Sequence, residues 1–388
     1  MSIIIDGDFP GGNIVVERIE GTTAWVHQDL RDTQGWWFWW QCRVRGAQGR
    51  TLTFRHTLPK PGANRPYYPY SRRGPAVSLD GGLTWGWLGA AAVDASGAFQ
   101  YAFGPDVAEV RFAFAPPYVA ADLERFLARH EGAPALQRRE LCRSRQGRVV
   151  HRLHAGRLDG RAGFRILVTA RHHACESLAS FVVEGLLAAV LEESELGRWF
   201  QQHAEIMAIP FMDPDGVEAG DQGKNRAPRD HNRDYAGESL YPETRALRAL
   251  APAWLDGASG VALDLHCPAP RNGHIYLVGN AAPAVWERQC RFSQFLERSI
   301  RGPLPYRAAD NLPFGQEWNV ATNYADGKAC GDWTAELPGM ALDASFEVPY
   351  ADAHTVDVTP DTARLFGRDL ACALREYLRD PQGTSHRT

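Results

Sequence analysis

From about residue 162 onward the chain alternates between two hydrophobic periods. Short apolar runs, FRILVTA (164–170), EIMAIPF (205–211), VALDLH (261–266), HIYLVG (274–279) and DASFEVPY (343–350), have the length and make-up of buried strands. Between and after them stand stretches of helical periodicity: ESLASFVVEGLLAAVLEES, PETRALRALAPAW, VWERQCRFSQFLERSI and TPDTARLFGRDLACALREYL. A strand that is apolar on both faces has no side to show to water, so the sheet it joins must be covered by helices above and below. This alternation restricts the region to an α/β fold with a mixed or mostly parallel sheet. In the last helix, Thr359 at the N-cap and Pro360 in the first turn are two independent start signals.

Upstream the period changes to two. Leu52, Phe54 and Leu58 in RTLTFRHTL, and Val110, Phe112 and Phe114 in EVRFAF, are spaced to share one face of a strand. Asp80-Gly81 in SLDGGLTW marks a hairpin turn. Residues 1 to about 115 therefore read as all-β, and the aromatic run GWWFWWQCRV (35–44) as filling for a sandwich core or a domain interface rather than a ligand platform. PPYVAADLERFLARH then reads as an extended junction entering a short helix. Single cores rarely grow past roughly 250–300 residues, so a chain of 388 residues is expected to hold two domains, at 1–118 and 119–388.

Charge narrows the partners. With 42 Lys+Arg against 46 Asp+Glu there is no basic excess to attract nucleic acid. No run approaches the roughly 20 apolar residues of a membrane span, and the start MSIIIDGDFPGG has no basic, apolar leader, so a cytoplasmic protein is expected. Its seven cysteines (Cys42, Cys142, Cys175, Cys267, Cys290, Cys330 and Cys372) form no CxxC pair and are expected to be reduced thiols.

Chemistry-bearing residues gather at the ends of the apolar runs, where open α/β sheets place ligand sites. In RHHACES, directly after FRILVTA, His173 and Glu176 stand three apart, a spacing that brings an imidazole and a carboxylate to one side of a helical turn. VALDLH ends in His266, which would complete a His2Glu set for a catalytic zinc with one position left for water. Glu347 lies in the apolar run DASFEVPY, where a carboxylate is costly to bury unless it is paired or used, and general-base duty is one such use. Each signal alone has a plainer reading: a helix-start Glu beside a loop His, or a hydrogen-bonded His at a sheet end.

Taken in order, these motifs resemble the M14 zinc carboxypeptidase family, most closely its cytosolic carboxypeptidase branch. ARHHACES matches the family's HxxE ligand motif, with His172 out of register. PFMDPDGVEAGDQGKNRAPRDHNRDY (210–235) matches its NPDG turn, with Asp213 for the usual Asn, followed by an arginine and an Asn-Arg pair. DLH and SFEV supply His266 and Glu347. Between the ligands stand Ala174 and Cys175, where the cytosolic branch usually has Pro-Gly. FWWQCRVRGAQGRTLTF and FAFAPPYVAADL are similar to the sandwich and junction that precede the catalytic domain in that branch. The resemblance thus implies an N-terminal antiparallel β-sandwich followed by a zinc-carboxypeptidase-like α/β domain.

The resemblance also implies roles. Zn2+ would be held by His173, Glu176 and His266, with Glu347 as general base on the attacking water. Arg226 would polarise the scissile carbonyl, with Arg229 a competitor for that role. Asn232 and Arg233 would hold the substrate's C-terminal carboxylate, Tyr324 would cap it, and Asp230 would orient a zinc-bound imidazole. Gly331 would stand in the side-chain specificity pocket, with Lys328 nearby. The implied activity is hydrolysis of the C-terminal residue of peptides or proteins, glutamate-tail removal being known in the branch. The alternative on the same scaffold is an amidase or deacylase for small N-acyl amino acids, like aspartoacylase and succinylglutamate desuccinylase. Two other classes stay open: a non-catalytic binding module, and a thiol hydrolase using Cys175 or Cys267.

Overall fold

The apolar runs become the core of a seven-stranded sheet in the computed structural model, which describes residues 2–60 and 67–380. Four strands run parallel in the order Ala204–Ile209, Phe164–Ala170, Ser259–His266, Met340–Glu347. Antiparallel strands close both edges: Tyr276–Val278 beside Met340–Glu347, and Val149–Gly156 followed by Leu136–Arg143 beyond Ala204–Ile209. The outermost strand, LQRRELCR, carries Arg138, Arg139, Glu140 and Arg143. Charge on an edge strand discourages pairing with another chain, and it also hides the strand from a search for apolar runs.

Alternation along Phe164–Ala170 assigns the helices to faces. Ile166, Val168 and Ala170 join the core with Leu178, Val182 and Leu186 of the helix Ser177–Leu191. Leu167, with Met207 and Ile209 of the next strand, packs on the other face against Leu247 and Ala251 of Pro242–Leu255 and Trp333 of Cys330–Ala335. Ser177–Leu191 is buried almost all round because Pro360–Arg379 lies across its outer side. Two glycines permit that contact: a Cβ on Gly185 would stand 1.9 Å from Arg364 O, and one on Gly367 2.1 Å from Val182 O. No helix among the described residues is long and apolar enough to cross a membrane.

Upstream, a five-stranded sheet (Ile4–Asp6, Gln41–Arg45, Glu109–Ala113, Ala76–Ser78, Gly86–Trp87) is antiparallel throughout. It faces a four-stranded sheet of Val15–Glu20, Thr23–His27, Thr51–His56 and Ala98–Ala102, and Phe54 and Phe99 from the second meet Phe112 of the first at ring distances of 5.3 Å. One pair, Thr23–His27 with Thr51–His56, is parallel, unlike the expected antiparallel sandwich. Between those two strands the chain leaves for the opposite sheet at Gln41–Arg45, and it returns in the same direction. Leu58 lies past the end of its strand and is exposed, so it does not share the face of Leu52 and Phe54.

The aromatic run is not one strand either. Trp37 to Trp40 are buried, and Phe38 packs on Phe114 at 5.0 Å and on Tyr350 at 5.5 Å, across the seam between the sandwich and the large sheet. Gln222 locks this seam: its Oε1 accepts from Phe38 N at 3.1 Å, Trp39 N at 3.2 Å and Gln28 Nε2 at 3.0 Å, and its Nε2 donates to Trp36 O at 2.5 Å.

One buried acid in the core should show in the pH dependence of stability. Burial pushes the Asp343 carboxyl up to about 8, against the hydrogen bond donated by Thr334 Oγ1. An unfolded chain releases that proton near pH ~4 while the folded one keeps it, so this group costs stability increasingly as pH rises from ~4 towards 8. Asp343→Asn is therefore expected to raise the urea midpoint over wild type near pH ~8 and to leave it nearly unchanged near pH ~4. Equal differences at the two pH values would refute the buried neutral acid.

Candidate metal centre

Two strand ends and one turn build the site. Arg171, which follows the strand Phe164–Ala170, adopts a left-handed φ of 63°, a conformation unusual for a non-glycine residue and one that must be held from outside. Its buried guanidinium does this by folding over the turn, donating from Nε to Ala174 O at 3.0 Å and from Nη1 to Tyr118 O at 2.8 Å and Ser180 Oγ at 3.0 Å. That turn delivers His173 and leaves Glu176 at the N-terminus of Ser177–Leu191. Opposite, His266 and Glu347 are the last residues of adjacent parallel strands and are Cα partners, so their side chains arrive at one level.

The side chains converge. His173 Nδ1 lies 2.9 Å from Glu176 Oε1, and His266 Nδ1 2.8 Å from Glu176 Oε2. The far nitrogen of each ring is held by a carboxylate: His173 Nε2 by Asp230 Oδ1 at 2.9 Å, His266 Nε2 by Asp264 Oδ2 at 2.8 Å. Burial alone would raise Glu176, yet His173, Lys224 and His266 hold it well below the carboxylate range. The three donors lie within 4.8 Å of one another. Two Nδ1 atoms and an anionic carboxylate, with both ring orientations set by a second carboxylate, are a donor set that fits zinc.

His172, which the register left outside the motif, is part of the support. Its Nδ1 stands 3.1 Å from Asp264 Oδ1 and its Nε2 2.7 Å from Tyr235 OH, so it fixes the carboxylate that fixes His266. It also forms, with Asp264 and His266, a second set of close donors, but neither His172 nor Asp264 lines the cleft.

The cleft onto which His173 and His266 open is also lined by Glu347, Lys224, Asp230, Asn232, Arg233 and Tyr324, and by Trp36 and Phe38 from the sandwich side. Glu347 Oε2 is buried without a hydrogen-bond partner among the described residues. Burial raises the Glu347 carboxyl above its ordinary range, with Lys224 opposing. Arg233 makes no ion pair within 4.0 Å among the described residues; its Nε donates to Asn323 O at 3.0 Å and its guanidinium lies 4.8 Å above the Tyr324 ring. Asn232 Nδ2 lies 3.0 Å from His266 Nε2, and its Oδ1 accepts from Cys330 N at 2.8 Å. Tyr324 OH donates to Asn319 Oδ1 at 2.8 Å.

No family model matches the chain. Over 182 residues it is 29% identical to cytosolic carboxypeptidase 2 of Xenopus tropicalis, an alignment covering 44% of this chain and 17% of that one. A metallo-carboxypeptidase from Burkholderia cenocepacia shares the fold with a TM-score of 0.77 at 19% identity, over 97% of this chain and 99% of that one. The metallo-carboxypeptidase from Pseudomonas aeruginosa, solved in complex with (2-guanidinoethylmercapto)succinic acid, gives 0.74 at 23% identity, over 97% and 99%. The chain is thus similar in sequence to cytosolic carboxypeptidases and shares the fold of metallo-carboxypeptidases. It spans between 15% and 60% of the length of the curated relatives it matches.

Several residues that the resemblance singled out lie outside the lining of the cleft. Arg226 does not line the cleft. Its Nε donates to Asp32 Oδ2 at 2.8 Å, its Nη2 to Asp221 Oδ2 at 2.9 Å, and its Nη1 to Asp213, which leaves the side chain 7% exposed. Burial by itself would lower the guanidinium, but Asp213, Asp32 and Asp221 outweigh it and keep the charge fixed. Arg229 is likewise committed, to Asp234 at 2.8 Å. Lys328 pairs with Glu336 at 2.6 Å and Gly331 is buried, and neither lines the cleft. Gly331 answers a packing need: a Cβ there would meet Ser345 Oγ at 2.5 Å, and it is Ser345 that reaches the cleft. All seven cysteines are free, and burial pushes Cys175 up to about 12 and Cys267 well above the thiol range, which disfavours the thiolate at both.

The Arg226 clamp carries a stability prediction. Removing one partner of a buried ion-pair network strands the other charges, at a cost of about 3–5 kcal/mol. Arg226→Met is expected to lose about 3 kcal/mol or more in urea unfolding. A loss under about 0.5 kcal/mol, the range of ordinary surface substitutions, would show the clamp to be inert.

Proposed function

We propose that the chain is a zinc metallocarboxypeptidase that removes the C-terminal residue of peptides or proteins. The observation that carries this is a single cleft lined by His173 and His266 of the His173–Glu176–His266 cluster, by Glu347, whose Oε2 is buried without a hydrogen-bond partner among the described residues, and by Arg233, which makes no ion pair within 4.0 Å among the described residues. An unpaired guanidinium suits a terminal carboxylate, which it can bind through two parallel hydrogen bonds, and so selects chain ends over internal bonds.

In this reading His173, Glu176 and His266 hold the zinc, which when bound polarises the carbonyl and acidifies water. Asp230 and Asp264 keep the two imidazoles turned with Nδ1 inward. Arg233, with Asn232 beside it, anchors the substrate's carboxylate, and Tyr324, stacked under Arg233, covers the anchored residue. Glu347 takes the proton of the attacking water and returns it to the departing amine. Residues 1–118 form the sandwich domain and 119–388 the catalytic one, with Trp36 and Phe38 of the first forming part of the substrate wall. Free cysteines throughout suit a reducing, cytoplasmic setting.

The test is a set of peptides varied at the last residue, followed by mass. Wild type is expected to remove single C-terminal residues. Glu347→Gln is expected to keep its zinc and lose about 100-fold to 10,000-fold in kcat, the usual contribution of a general base. A chelator should abolish activity and added zinc restore it, while thiol alkylation leaves it intact. If wild type leaves every peptide whole, the peptidase reading fails, and small N-acyl amino acids become the substrates to assay.

A further inference from the structure

Attack on a peptide carbonyl places negative charge on its oxygen, and a preorganised cation or donor at that point is usually the largest single contribution to such catalysis. With Arg226 locked to three aspartates outside the cleft, two lysine or arginine side chains line it among the described residues: Arg233 and Lys224. Arg233 is held at the Asn323–Tyr324 end. Lys224 stands at the ligands, its Nζ 2.8 Å from Glu176 Oε1 and donating to Cys267 O at 2.8 Å. An ammonium has three protons to donate, so these two contacts leave one for a substrate.

The backbone is built to put Lys224 there. Gly223 has a φ of +73°, and a Cβ on it would lie 2.6 Å from Ala174 N, so only glycine lets this loop lie against the His173–Glu176 turn. Asn225 also has a positive φ, 53°. The loop is pinned on both sides of Lys224: Cys175 N donates to Gln222 O at 3.0 Å, Asn225 N to Asp230 Oδ2 at 3.0 Å, and Gln34 N to Asn225 O at 2.9 Å. Lys224 and Arg226 are two residues apart, and the loop sends one into the cleft and the other into the clamp.

We propose that Lys224 is the cation that stabilises the oxyanion formed at the scissile carbonyl, the role that the sequence pattern assigned to Arg226. The inference rests on the peptidase reading above. As the water oxygen bonds to the carbonyl carbon, the π pair moves to the carbonyl oxygen and the water proton to Glu347. Lys224 donates a hydrogen bond to that oxygen and keeps its proton. On collapse the carbon–nitrogen bond breaks, its pair stays on nitrogen, and Glu347 returns the proton there.

The test compares zinc-loaded wild type, Lys224→Met and Lys224→Arg on a peptide that wild type cleaves, with zinc content measured for each. Two further probes are bound by calorimetry: the peptide with a phosphonate in place of the scissile amide, and the free C-terminal amino acid. Lys224→Met is expected to keep its zinc and its KM within about threefold while kcat falls by about 100-fold to 1,000-fold. Phosphonate affinity should fall in parallel with kcat, affinity for the free amino acid should hold, and Lys224→Arg should recover part of both losses. Unchanged kcat in Lys224→Met, equal weakening of both probes, or loss of zinc would each overturn the assignment while leaving the peptidase reading standing. Wild type that cleaves no peptide and binds neither probe overturns that reading, and this inference with it.

Discussion

Glu176 is a carboxylate with no exposed surface, placed where the strand Phe164–Ala170 gives way to a helix. A buried anion without compensation would neutralise or unfold its surroundings, so the site is organised around satisfying it. Two imidazoles and an ammonium converge on its two oxygens. Each imidazole then needs an acceptor for its far nitrogen, which Asp230 and Asp264 provide, and Asp264 in turn draws in Thr169 and His172. The chain of partners extends from the ligand set to the neighbouring strands, and a zinc ion would enter a charge arrangement that is already oriented.

The sandwich is coupled to this arrangement through one loop. The segment that follows Asp213 carries Gln222, Lys224, Arg226, Asp230, Asn232 and Arg233, and so touches ligands, cleft and seam in turn. Gln222 is saturated by the backbone of the Trp36–Trp39 run, and Arg226 binds Asp32. The aromatic run therefore serves the seam and, through Trp36 and Phe38, the cleft wall. Residues from both halves of the chain line the cleft onto which His173 and His266 open.

What could be read from the sequence was what depends on near neighbours or on strand ends. The central strands were legible because a strand covered on both faces is apolar throughout, and the long helices because their period is regular. The strands Leu136–Arg143, at the edge, and Val149–Gly156 beside it were not, since charged and half-exposed residues interrupt their apolar pattern. The one parallel pair of the sandwich was hidden for a different reason: strand direction depends on where the connecting chain travels, and no local pattern records that.

By itself the sequence determined the α/β core and pointed to the strand-end residues His173, Glu176 and His266, because three-residue spacing and the last residue of a buried strand each place a side chain by local geometry alone. Only the tertiary structure decided which cation faces the cleft. Arg226 is drawn away by Asp32, 194 residues distant, together with Asp213 and Asp221, while Gly223 and Asn225 turn Lys224 inward through backbone angles that depend on packing against Ala174. It likewise made His172 a support and Gly331 a packing residue. Charge pairing across distant segments and the clearance at a single Cβ are set by the assembled chain, and neither leaves a mark in the local order of residues.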